Sequence, residues 1–507
     1  MAAVVRFVAL GQDMRLHPDE ALFATFARGA ALNGEWLLPG PLDKPPLSIY
    51  ATAVSMALLM DGEAAPGLPD ISPHRGEFAA RFPNVLISLL TAALAYRLGW
   101  ALYRSRSVAL AALALVAFAP YSTAFADTAF TDGWLLLLLT ASLTTIALGR
   151  WGWAGVWFGL ALWSKPQALF MLPLIGALGW LVDTRPALWR RGLAFVLALV
   201  VLAGLLVVWD AARGQTAGLW ALAATNNAPW RLLRPDEVWR RLDVGLSQAG
   251  WLLGLPVVTM GLVVLGAGTA LVQAVRRPGR RSNAIDLLLL TFVLGYGGLH
   301  WLVAFDLYDR YWLLLLIPLA LLAARGVDGV LRTMTRRQFV LYSRSAIYKM
   351  GKARLAPTRR FWFFRTRTLM ALGLGAILVY GGWLGATGQV PVGGDRGAHD
   401  EIDEAAAFLN SRTLGAIIYD HWLGWELDYY LGKWTNKRRV YYPSTASLAA
   451  DALRQPDPAP RYFIAPADVP HALWLDALSA AGFRIERVAG DRFVIYELLP
   501  PWAEVSD

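Results

Sequence analysis

Apolar runs of about 20 residues, the length that crosses roughly 30 Å of hydrocarbon, recur along the chain near 80–103, 108–126, 132–149, 192–212, 250–275, 285–305, 311–330 and 369–390. A longer run, 151–182, is interrupted by Lys165-Pro166. A proline after a charge mid-run predicts a helical hairpin with its tip at Trp163 to Gln167, a single kinked helix being the alternative. With the hairpin counted as two, the pattern predicts ten spans. Met1 to Leu16 is apolar but short and carries Arg6 and Asp13, so it is expected to be the second half of a first span whose start is truncated or misassigned. A cleaved signal peptide competes with that reading, but no small-residue cleavage site precedes His17-Pro18-Asp19-Glu20.

Between these runs and after them the pattern changes. A helix opening at Asp19-Glu20, with Leu22, Phe23, Phe26 and Ala30 on one face, and a second from Leu47 to Met60 are each too short or too amphipathic to cross and are expected at the membrane surface. Beyond Gln389 the periodicity is that of a soluble α/β domain: helices at 399–412, 425–431, 445–454 and 469–481, and strands at 415–419, 439–442, 461–465, 483–488 and 492–497. The expectation is therefore a polytopic α-helical membrane protein, residues 1–390, with two outer interfacial helices and a C-terminal soluble α/β domain, residues 391–507. No internal repeat or inverted half of the transporter kind is visible.

Composition supports the membrane assignment: 56% of the 507 residues are hydrophobic and 17% charged, against roughly 25% charged in soluble chains. A soluble globular enzyme is excluded. The net charge of +10 is explained by topology rather than by nucleic acid. If 17–79 lie outside, the alternation of spans puts Arg104, Arg106, Arg150, Arg185, Arg190, Arg191, Arg276, Arg277, Arg280 and Arg281 inside. The segment 332–368, with eleven Lys/Arg and no acid, falls inside too and suits anionic lipid headgroups. Asp19, Glu20, Asp43, Asp127, Asp132, Asp306 and Asp309 then cluster at the outer face. Without cysteine, thiol catalysis and cysteine metal sites are excluded.

Several of these residues have both a structural and a chemical reading. Asp19 and Glu20 begin a helix, where a carboxylate caps the first turn or is held ready at its positive end. Lys44 follows Asp43 and precedes two prolines, giving a rigid acid-base pair suited to a phosphate, or simply an interfacial lysine. Asp132 opens a span, with Asp127 five residues earlier. Lys165 at the hairpin tip is a charge beside hydrocarbon, which is expensive and marks function by default. Arg310 and Tyr311 enter a further span, and Asp306 and Asp309 are candidate partners of Arg310. Walker, HExxH, GxSxG and DxD patterns are missing. The aromatic stretch Tyr419 to Trp434 is either helix core or a cover over the membrane site.

HPDEALFATFAR, the following LDKPPL, Asp132, SKPQALFMLPL and DRYWLLLLIPLALL, in that order over about residues 1–330, resemble the polyprenyl-phosphate-sugar-dependent transferases of GT-C architecture. These include the protein O-mannosyltransferases and the lipid A aminoarabinose transferases. The resemblance implies a GT-C-like fold and transfer of a hexosyl or pentosyl group from a lipid-phosphate donor to an extracytoplasmic acceptor: a lipid, glycan or protein hydroxyl. It makes Asp19 the base, Glu20 its partner and Asp132 the second acid, places Lys44, Lys165, Arg310 and Tyr311 around the donor phosphate, and sets Asp43 and Asp127 nearby. The aminoarabinose group has Arg three residues after the motif acid, where this chain has Leu22. The expected setting is a bacterial inner membrane with the site and C-terminal domain outside, membrane lipids and the donor as partners, no nucleic acid, and no cofactor assigned, dependence on a divalent metal being left open. A lipid-linked sugar flippase or transporter is the alternative, and it predicts ionisable residues spread through the midplane.

Overall fold

The computed structural model describes residues 1–65, 68–183, 188–347, 358–394, 396–432, 438–454 and 459–502. In chain order the helices are α1 Ala2–Leu10, α2 Pro18–Asn33, α3 Leu47–Leu58, α4 Pro73–Tyr103, α5 Arg106–Phe118, α6 Pro120–Ala124, α7 Asp132–Ala147, α8 Trp151–Leu162, α9 Leu172–Val182 and α10 Leu188–Ala212. They continue as α11 Leu219–Asn226, α12 Pro235–Ala249, α13 Pro256–Arg276, α14 Arg281–Leu302, α15 Leu316–Ile347 and α16 Thr358–Ala386. A short antiparallel hairpin, β1 Gly62–Ala65 with β2 Leu68–Asp70, precedes α4.

The helices follow the apolar runs, with differences that have local causes. The expected span 108–126 is two helices because Pro120, lacking an N–H, ends one and starts the next at its first position. The run 151–182 does turn back: α8 ends at Leu162, and Lys165-Pro166 opens a 3-10 turn, Pro166–Met171, before α9. Among the described residues, five stretches are long and apolar enough to cross a membrane: Pro73–Tyr103, Leu188–Ala212, Pro256–Arg276, Arg281–Leu302 and Asp309–Thr333. The other predicted spans form shorter apolar helices. Helix α15 runs on through the basic segment 332–347, and Lys349, Lys352 and Arg354 lie outside the described residues.

Contacts divide the chain into two compact units: residues 1–11, 37–48 and 81–394 in one, and 12–36, 49–80 and 395–507 in the other. The first is all helical. α8 packs between α7 and α10, and α13 crosses α15. That crossing needs glycine: a Cβ on Gly266 would lie 2.8 Å from the Leu322 carbonyl, and one on Gly326 3.0 Å from the Gly266 nitrogen. Small residues facing each other let two backbones approach where lipid supplies no hydrophobic drive between helices.

The second unit contains α17 Ile402–Asn410, β3 Ile417–Asp420, α18 Gly424–Leu431, β4 Arg438–Tyr441, α19 Thr445–Arg454, β5 Arg461–Pro466, α20 Ala472–Ala480, β6 Arg484–Ala489 and β7 Phe493–Leu499. Its sheet has the order β4-β3-β5-β7-β6, parallel through β5 and antiparallel beyond. Ile417, Tyr419, Phe463, Trp474, Leu478 and Leu498 form its core. The larger unit ends at Gly394. What periodicity does not show is that residues 12–36 and 49–80 group with the C-terminal segment.

Specific bonds explain that grouping. Tyr430 Oη donates to Glu77 and accepts from the Leu16 N–H at 2.8 Å. Arg15 meets Asp403 at 3.0 Å, and Arg28 donates to the Tyr429 carbonyl and to Asp70. Burial and the neighbouring Glu77 hold the Tyr430 hydroxyl well above its ordinary pKa, so it stays a donor at any physiological pH. Helix α2, expected on the membrane surface, has its apolar side covered by α18, with Phe26 against Trp425 at 5.8 Å. In the aromatic stretch Tyr419 is buried on β3 and Tyr429 and Tyr430 are buried on α18; Trp434 lies outside the described residues.

Gly326→Leu is expected to lower stability by about 1–3 kcal/mol, the usual cost of overpacking, read as a lower unfolding midpoint in detergent. An unchanged midpoint would mean that α13 and α15 do not cross there.

Candidate active site

The site in the helical unit begins with a charge that the sequence puts in an apolar place. Lys165 caps the 3-10 turn at the hairpin tip and is 3% exposed. Its Nζ donates to Asp132 Oδ1 at 2.7 Å, and Asp132 is equally buried in the first turn of α7. Three bonds fix this pairing: Ser164 Oγ donates to the Thr131 carbonyl at 2.9 Å, and Asn84 Nδ2 donates to the Phe130 and Thr128 carbonyls. Asp127, in the same loop, is buried and acts electrostatically on Arg6.

Tyr311 lies under Lys165, with the ammonium 4.8 Å from its ring centre, a cation–π arrangement. Its hydroxyl donates to Asn227 Oδ1 at 2.9 Å. The 3-10 turn Asp309–Leu315 that carries it is tied by Asp309, which accepts the N–H groups of Arg310 and Gly393 at 2.7 and 2.8 Å. Asp309 is thus a backbone anchor. The Arg310 guanidinium stacks on Phe130 and Tyr308, 4.9 and 4.4 Å from their ring centres. Lys44 and Arg310 both lie near enough to act on the Lys165 charge.

Lys44 bonds Asp43, whose second contact is Asn226 Nδ2 at 3.1 Å. Asp43, Lys44, Lys165, Gln167, Asn227 and Tyr311 line a cavity of about 330 Å³ together with the apolar Leu169, Phe170, Trp220, Ala223, Ala224, Trp230 and Phe305. Trp230 and Trp220 are 60% and 40% exposed, so part of the apolar lining is open. Two cations and several aromatic rings in one cavity suit a phosphate joined to a hydrocarbon.

The expected residues therefore separate. Asp43, Lys44, Lys165 and Tyr311 line the cavity. Asp132 and Arg310 are not among its lining residues, and Asp132 Oδ1 is the acceptor of the Lys165 ammonium. Asp127 belongs to the supporting loop. Asn226, Asn227, Trp220, Trp230, Gln167, Phe170 and Phe305 were not anticipated; the signal for four of them was an Asn pair flanked by tryptophans in LWALAATNNAPW.

Asp19 and Glu20 belong to the other unit. The cap of α2 is made by Glu20, which accepts the His17 N–H at 3.1 Å, while the Asp19 N–H donates to His17 Nδ1 at 3.1 Å. Glu20 is thus engaged as a capping-box residue. The carboxylate of Asp19 is not the one that closes the helix. In the same unit Asp13, His74 and Glu77 have metal-ligand spacing among the described residues. Arg15 is within bonding or ion-pair reach of all three, so the cluster is already organised around a guanidinium.

The family model for dolichyl-phosphate-mannose-protein mannosyltransferase matches residues 43–209. Undecaprenyl phosphate-alpha-4-amino-4-deoxy-L-arabinose arabinosyl transferase 2 of Proteus mirabilis is 26% identical over 342 residues, which is 63% of this chain and 57% of that protein, so the match spans little more than half of the relative. The crystal structure of ArnT from Cupriavidus metallidurans bound to undecaprenyl phosphate is similar over 98% of this chain and 96% of that one, with a TM-score of 0.61 and 18% identity. The apo oligosaccharyltransferase of Archaeoglobus fulgidus is similar over 92% of this chain and 69% of that one, with a TM-score of 0.57 and 13% identity.

Removing either partner of the Lys165–Asp132 pair leaves a buried charge. Lys165→Met or Asp132→Asn is expected to cost about 3–5 kcal/mol, and the joint Lys165→Met/Asp132→Leu variant less than the sum. Unfolding in detergent checks this, and strictly additive losses would show that the two are not coupled.

Proposed function

We propose that this chain, which has the fold of the GT-C membrane glycosyltransferases, transfers a sugar from a polyprenyl-phosphate donor to a hydroxyl of an extracytoplasmic lipid, glycan or protein. The observation that carries the reading is one cavity lined both by Lys44 and Lys165 and by tryptophan and phenylalanine. A polyprenyl phosphate has those two natures. The arabinosyl transferase relative and the undecaprenyl-phosphate complex of ArnT support the same donor class. The proposed setting is a bacterial inner membrane, with the reaction and the α/β unit on the outer side, as the distribution of cations in the sequence suggests.

The leaving group sets the chemistry. A phosphate monoester has its second pKa near 6, so the departing polyprenyl phosphate is largely a dianion at neutral pH and needs cations, not a proton. Lys44 and Lys165 are assigned to it, with Arg310 adding to the local positive potential and Tyr311 fixing the Lys165 ammonium. The acceptor O–H gives its proton to a carboxylate as its oxygen bonds the anomeric carbon and the bond from that carbon to the phosphate oxygen breaks. Asp19 is assigned as that base on the motif it heads and on the helix start that carries it. One displacement inverts the anomeric centre. The proposal covers hexosyl and pentosyl donors alike.

Purified protein in lipid nanodiscs is incubated with a panel of polyprenyl-phosphate sugars and cell-envelope extract, and free polyprenyl phosphate is measured. The parent should release it from at least one donor, and Asp19→Asn should slow release by about 100-fold or more, the scale of a lost general base. Lys44→Met should raise the donor KM. No release from any donor contradicts the proposal, and a product of retained configuration removes the single-displacement mechanism.

A further inference from the structure

Two of the elements that build the cavity, the loop that ends at Lys44 and the short helix α11, meet at a third element that does not line it. Arg213 follows α10 and its side chain is fully buried. The guanidinium donates to the Leu38 carbonyl through Nε and Nη2 at 3.3 and 3.1 Å, and to the Gly40 carbonyl through Nη2 at 2.6 Å. Nη1 meets Asp210 at 3.2 Å, and the plane rests over Trp209, 5.1 Å from its ring centre. Leu38 is a buried non-glycine residue at φ 50°, and Gly40 sits at φ 128°. Such a backbone persists only where its surroundings hold it, and the guanidinium fork holds both carbonyls.

Asp210 uses its other oxygen on α11, accepting the Leu219 N–H at 2.9 Å at that helix's start. Gly218 leaves room for it, since a Cβ there would stand 3.0 Å from Asp210 Oδ2. The far end of α11 returns to the loop through Asn226, which donates to Asp43. The contacts close a circuit: Arg213 to the loop, loop to Asp43, Asp43 to Asn226, α11 to Asp210, and Asp210 to Arg213.

We infer that Arg213 and Asp210 are positioning residues for the lipid-phosphate donor, setting the loop that presents Lys44 against the helix that presents Asn227 and Trp220. The inference rests on the proposed donor reading and adds residues outside the cavity to it. Loss of the fork frees the loop, so Lys44 meets the phosphate only part of the time. That weakens donor and product alike and leaves the chemical step nearly intact.

Because the chain has no cysteine, Leu37→Cys and Ala221→Cys can carry a spin-label pair in nanodiscs. The parent pair should give one narrow distance, and Arg213→Ala a broad or shifted one. In parallel, sugar-free polyprenyl phosphate should bind Arg213→Ala about tenfold or more weakly, the scale of lost charge-assisted hydrogen bonds. Donor KM should rise by the same factor with kcat within threefold, and Arg213→Lys, which reaches one carbonyl, should recover part of the affinity. An unchanged distance with unchanged affinity overturns the inference. So does a lower kcat at constant KM, the mark of a smaller folded fraction. If no donor reacts with the parent, the proposed function fails, while the spin-label distance still judges the clasp.

Discussion

A lysine at 3% exposure inside an apolar hairpin is tolerable only with a countercharge beside it, because an isolated ammonium costs several kcal/mol to desolvate. Much of the helical unit's polar construction follows from that requirement. Asp132 must open α7 opposite the hairpin tip, so the loop before it must be pinned, which Asn84 and Ser164 do through the carbonyls of 128, 130 and 131. Tyr311 must lie beneath the ammonium, so its 3-10 turn must be anchored, which Asp309 does through two N–H groups. The result is a cation held rigidly at the edge of an open cavity.

The same economy recurs with arginine. Arg241 on α12 donates to the carbonyls of His300 and Phe305, fixing the turn that brings Phe305 into the cavity wall. Arg213 treats the loop before Lys44 in the same way. In low dielectric an unpaired carbonyl is costly, so a planar guanidinium that satisfies two at once is an efficient way to set a loop. The α/β unit relies on different means: a sheet core of Phe463, Trp474 and Tyr419, and a buried Tyr430 joining Glu77 to the Leu16 N–H.

Periodicity made the helices and the sheet legible. α19 falls where the pattern puts it, at 445–454, because its apolar residues recur at helical spacing and Arg454 closes it. The hairpin tip was legible because only a turn accommodates Lys165-Pro166. Splitting at Pro120 was not, since Pro is common both inside apolar runs and between them. α12 escaped because it is polar and α11 because it is too short to read as a span, yet α11 with its C-cap Asn227 supplies four residues to the cavity wall. Of the candidate residues, Lys44, Lys165 and Tyr311 announced themselves as charges or hydroxyls beside hydrocarbon. The separate duties of Asp132 and Glu20 did not, because an acid at a helix start looks alike in sequence whether it caps, pairs or reacts.

The most direct test of the central claim is a structure of the chain with sugar-free polyprenyl phosphate bound in nanodiscs. The account predicts phosphate density between the Lys44 and Lys165 ammonium groups, with the first isoprene units against Trp220, Trp230 and Phe305. Phosphate density elsewhere, with this cavity empty, would contradict it.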